Sequence, residues 1–134
     1  MARALSAEQL AYLAGEFSQM VSIVQGYQSA CATDPTFDSA PMQRQIEGLT
    51  ALSQGLSNHA MVTLFDDSDQ MYRNLATITQ NANKVGASLP RETSQRSRIV
   101  SIAGSMIDLA AALSSGNQWD VVSSVVSCAK AIRS

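Results

Sequence analysis

Residues 99–113 read IVSIAGSMIDLAAAL. Within them Ile99, Ile102, Met106, Leu109 and Leu113 recur at intervals of three, four, three and four, the spacing of a helix seam packed against other helices. The same rhythm returns in Leu10, Leu13, Phe17, Met20, Val24, Tyr27 and Cys31, and again in Met71, Leu75, Ile78, Ala82 and Val85. Nothing alternates in the manner of a half-buried strand. The pattern predicts an all-α fold, an up-down antiparallel helical bundle, as a single domain over residues 1–134.

Capping signals divide the chain into five helices. Ser6 and Gln9 form a capping box that opens the first, and Asp34-Pro35 closes it after Cys31. Asp38 or Ser39 caps the second, with Pro41 in its first turn and Met42, Ile46, Leu49, Leu52 and Leu56 as its buried stripe. Phe37, in the loop between them, plugs the end of the core. Read without a break, the second pattern would reach Val85, about 45 residues or ~67 Å at the α-helical rise, which a compact domain cannot cover. A turn is therefore placed around Leu64–Ser68, where Asp66, Asp67 and Ser68 are good caps. Without that turn the helices number four.

The third helix runs from Asp67 to Val85, with Gly86 as its stop and Asn81, Asn83 and Lys84 in a fraying tail. The fourth starts near Pro90 and ends at Ser114-Ser115-Gly116, and Asn117 caps a fifth that continues to Arg133. This last helix buries Val121, Val125, Cys128 and Ile132, with Trp119, Val122, Val126 and Ala129 alongside. An apolar face that wide, built from poor helix formers, is either enclosed or meets a second chain.

Composition narrows the function classes. Charged residues are 15% of the chain and apolar residues 46%, with a net charge of −2. A field that weak and acidic does not suit a nucleic-acid binder, which must displace counterions. The apolar runs are a few residues long, so no transmembrane segment is expected. Nor does the start of the chain read as a signal peptide. The chain reads as soluble, either cytoplasmic or, if its cysteines pair, periplasmic or secreted.

No catalytic constellation, cofactor loop or metal-ligand spacing stands out, and the chain reads as a non-enzyme. His59, the sole histidine, lies at the opposite pole from the cysteines, so the three cannot share zinc. A phosphoacceptor role for it is not favoured either, since the third residue after it is Val62. Asp66, Asp67 and Asp69 lack the glycine and spacing of a calcium loop and read as helix caps. Glu16 and Glu47 read as lone solvated acids, and Tyr12, Tyr27, Tyr72 and Trp119 as core or core-edge aromatics.

Three features keep a functional reading. Alternating helices bring Cys31 and Cys128 to one pole, where they are either inert core thiols or a disulfide. Arg91, Arg96 and Arg98 gather at the start of the fourth helix, a candidate anion contact against the simpler reading of a solvated helix start. Trp119, Val122 and Val126 form a candidate interaction face. The leading expectation is a small interaction or adaptor protein that works through helix faces on a protein partner or on itself. A small-ligand or sensory bundle with room left by Gly48, Gly55 and Gly104 is the alternative. An exported accessory protein that neutralises or chaperones another protein is the third, and the redox state of the cysteines separates it from the others.

Overall fold

The computed structural model describes residues 2–58 and 63–134, with Ser115 described by its backbone alone. Among the described residues five α-helices and one 3₁₀ turn make up the fold: α1 (Ala7–Cys31), α2 (Ala40–Ser57), α3 (Ser68–Ser88), the turn Thr93–Gln95, α4 (Arg96–Ser115) and α5 (Gln118–Arg133). The Ser6–Gln9 capping box is present in both directions. Asp67 caps α3 by accepting from the Gln70 amide, and Asn117 caps α5 by accepting from the amides of Trp119 and Asp120. Helices α2 and α3 are separate, as the length argument required. At the second N-terminus Ser39 makes no side-chain cap, and Asp38 accepts from the Ala40 amide instead.

Helix α4 lies at the centre and packs against all four other helices. Its seam residues Ile99, Ile102, Met106, Leu109 and Leu113 have no solvent exposure. This helix, with the turn before it, is also the one segment among the described residues long and apolar enough to cross a membrane by length and composition. The sequence reading overlooked it because small and polar residues break the apolar run. Burial among four neighbours accounts for its composition in this fold.

Around α4 the other helices follow in the order α2, α1, α3, α5, with α1 beside both α2 and α3, and α3 also beside α5. Direction follows from side-chain pairs. Gln28 meets Gln43 while Ser18 meets Ser53, so α1 and α2 are antiparallel. Tyr12 bonds Gln80 and Asn83 bonds Glu16, so α1 and α3 rise together. Arg98 reaches Ile132 and Ser105 reaches Cys128, so α4 and α5 are antiparallel.

Three sequence-based boundaries shift. Helix α2 ends at Ser57, ahead of the turn placed around Leu64–Ser68. Gly86 does not stop α3, which continues to Ser88. A Cβ at Gly86 would lie 3.4 Å from both Ile99 Cδ1 and Met20 Cε, an ordinary contact distance, so the position faces the junction of α3 with α1 and α4 and does not end the helix. Asn83 is accordingly not in a fraying tail but 2% exposed, donating to the Glu16 carbonyl and carboxylate. Glu16 is therefore half-buried and bonded, not a free solvated acid. Helix α4 starts at Arg96 and not near Pro90, whose carbonyl accepts from the buried Tyr27 hydroxyl.

The pole where α4 ends and α5 begins is tied by contacts no periodicity announces. Arg3 and Phe65 exchange both backbone hydrogen bonds as an isolated antiparallel bridge, with Phe65 buried beneath it. Thr63 sets its hydroxyl among the last carbonyls of α4, 2.7 Å from that of Leu113. Gln118 at the start of α5 bonds both the amide and the carboxylate of Asp66.

Candidate interaction face

Helix α5 buries only one edge. Val121 and Cys128 are fully enclosed, whereas Trp119 is 66% exposed, Val126 49% and Val122 39%. At about 3.6 residues per turn, Trp119, Val126 and Arg133 project on one line, flanked by Val122 on one side and Ser123 and Lys130 on the other. That line points directly away from Val121 and Cys128. The strip is therefore outward by geometry, and among the described residues no neighbouring helix covers it. Trp119 is not the core-edge aromatic that its bulk predicts.

The α3 side of the strip continues into a shallow concavity of about 90 Å³ lined by Met71, Asn74, Val122, Val125 and Val126. Leu64, 54% exposed, projects from the loop whose neighbours Thr63 and Phe65 are anchored at the pole where α5 begins. Among the described residues four large apolar side chains thus remain in water, three of them on one helix face. Single exposed apolar residues are ordinary on proteins, whereas these three lie together on one strip.

The cysteines are both buried free thiols. Parity does carry them toward the same pole, since the end of α1 lies near Pro90 and Thr93 and the end of α5 near Arg98. They do not pair because α1 and α5 are not among the principal packing partners: each has its neighbours elsewhere in the ring. Burial pushes the Cys128 thiol above its ordinary value, with the Ser105 hydroxyl beside it pulling the other way.

The three arginines each find a separate structural use. The guanidinium of Arg91 lies over α1 where a side chain at Gly26 would otherwise stand. Arg98 donates to the Ile132 carbonyl in the last turn of α5, where a cation suits the helix dipole. Arg96 lines a concavity of about 330 Å³ with Asp38, Pro41, Met42, Ser97 and Val100. Asp38 supplies a carboxylate in that concavity, which disfavours an anion there. Both Arg91 and Arg98 act on the Tyr27 hydroxyl, whose pKa is nonetheless raised, by burial first and by Cys31 second.

The glycines proposed to leave ligand space do not surround one. A Cβ at Gly48 or Gly55 would meet nothing within 4 Å, and one at Gly104 would lie 3.6 Å from the Gln45 amide. None of the three lines the concavities just described. Asp67 is a helix cap, as read, and Asp66, Asp67 and Asp69 share a polar hollow with Arg3 and Ser68. Among the described residues no group of three metal-ligating side chains converges. The reading of His59 falls outside the described residues. Comparison with protein-family models, curated proteins and solved structures finds no match for this chain.

Proposed function

We propose that this chain is a non-enzymatic interaction protein whose working surface is the outward strip of α5. The observation that carries the reading is the exposure of Trp119, Val122 and Val126 on one helical line, in a bundle whose remaining large apolar side chains among the described residues are, Leu64 apart, at least partly enclosed. Burying that strip against a partner removes apolar area from water, the usual driving term for association. Trp119 is the natural anchor, since an amphipathic aromatic contributes large area at low entropic cost. The central helix α4 belongs to the core in this reading and not to a membrane.

The test is site-specific photo-crosslinking in the native cell, with the crosslinking side chain placed at Val126 or, as control, at exposed Glu47 on α2. The reading predicts a discrete protein adduct from position 126, none from position 47, and loss of the adduct when Trp119→Ser is added. Equal adducts from both positions, or none from either, overturn it.

A further inference from the structure

We propose that the occupant of the α5 strip is a second copy of this chain, docked antiparallel across a two-fold axis. This rests on the reading of α5 as the working surface and adds the partner. The strip is chemically polarised along its length. Its first half carries Trp119, with Asp120 beside it, and its second half carries Lys130 and Arg133, all exposed. Val126 and the small Ser123 lie between.

Such a strip complements itself in one orientation only. Laid parallel on its copy, it sets Lys130 against Lys130 and Asp120 against Asp120. Laid antiparallel, with Trp119 across from Lys130 of the second copy, every class of side chain finds its opposite. The indole face receives an ammonium group. Asp120 comes one residue from the level of Lys130 of the second copy and about 6 Å along the axis from Arg133 of the second copy. Val126 falls opposite Ser123 of the second copy, large against small, which permits close approach of the two helices. The symmetry repeats each contact twice, as an isologous interface requires. From Trp119 to Arg133 the strip is only about 21 Å long. That places the contact near the small end of specific interfaces and predicts a reversible dimer, not a permanent one.

The polarity supplies its own test. Lys130→Glu puts Glu against Asp120 of the second copy, and Asp120→Lys puts Lys against Lys130 of the second copy, each twice per dimer. An equimolar mixture of the two variants restores both pairs in the mixed dimer. The measurement is light scattering and sedimentation over about a hundredfold concentration range, read against the 14.2 kDa monomer, with Trp119 emission followed in parallel. Wild type is expected to dimerise with a blue shift of Trp119, and each variant alone to associate at least about tenfold more weakly. The mixture is expected to associate clearly more tightly than either variant alone, short of wild type by the one Trp119–Lys130 contact that the mixed dimer lacks. A folding defect in either variant is not cured by mixing, so recovery reports the contact itself. A wild-type chain that stays monomeric throughout overturns the second copy, and the crosslink from position 126 then decides separately whether a different protein fills the strip. Dimerisation that both variants retain also overturns it, by moving the interface off α5.

Discussion

Thr63 offers a stability prediction with a sign and a size. Its side chain is buried, and its hydroxyl oxygen lies 2.7 Å from the Leu113 carbonyl, 2.9 Å from that of Gly116 and 3.2 Å from that of Ala112. The Ala112 carbonyl already accepts from the Gly116 amide. The hydroxyl has one proton to donate, and Leu113, at the end of the central helix, is the nearest acceptor. Thr63→Val keeps the shape and replaces this donor with a methyl group facing three oxygens. Leaving buried acceptors without their donor costs about 2 kcal/mol. With an unfolding entropy of about 2.1 cal/mol/K per residue over this length, that lowers Tm by roughly 7 °C. Thr63→Ser keeps the donor and loses one methyl, about 0.8 kcal/mol or some 3 °C. Thermal and urea melts followed by far-UV circular dichroism measure both. A valine variant that melts above the serine variant, or within about 0.5 kcal/mol of wild type, refutes the capping role.

Gly86→Ala is expected to leave stability unchanged or raise it by up to about 1 kcal/mol, since α3 is helical there and a Cβ meets its neighbours at ordinary contact distance; a clear loss in a urea melt would return Gly86 to a helix-stop role. Gly86→Leu, by contrast, overfills the α1–α3–α4 junction and costs about 1–3 kcal/mol in the same melt. Asn83→Asp sets a second carboxyl against the Glu16 carboxylate at a 2%-exposed site, costing about 3 kcal/mol in a urea melt at neutral pH. Thiol counting without reductant should find both cysteines slow to react in the native chain and rapid in denaturant. Burial raises the folded Cys128 pKa, so its contribution to stability is complete below the unfolded thiol's pKa and declines as pH rises through the alkaline range.

What the sequence made legible was whatever periodicity and caps encode. The five helices, the break between α2 and α3, the Ser6 and Asn117 caps and the α4 seam all follow from local chemistry that the fold preserves. What stayed hidden depends on which helix becomes whose neighbour. Helix parity sends Cys31 and Cys128 to one pole, yet parity says nothing of position around the ring, and α1 and α5 take other partners. Gly86 and Asn83 looked like terminal residues because a glycine and a polar side chain in a helix carry the same local signal whether they end it or face another helix. The Arg3–Phe65 bridge and the Thr63 cap join segments far apart in sequence with no motif at either end. On α5 the doubled apolar face was visible, and so was its division into a buried row with Val121 and Cys128 and a candidate interaction face of Trp119, Val122 and Val126; how far that face stays uncovered was not. The packing of α5 on α3 and α4 decides it.

The measurement that bears most directly on the account is the environment of Trp119, the chain's only tryptophan, in dilute solution where light scattering confirms a monomer. The account predicts water-like red emission and ready access to a neutral quencher, with both lost on denaturant-free concentration or partner binding and neither lost in a Trp-distant variant such as Glu47→Gln. A blue-emitting, quencher-inaccessible Trp119 in that same monomer would place the side chain inside the fold and leave α5 without the surface on which the functional reading stands.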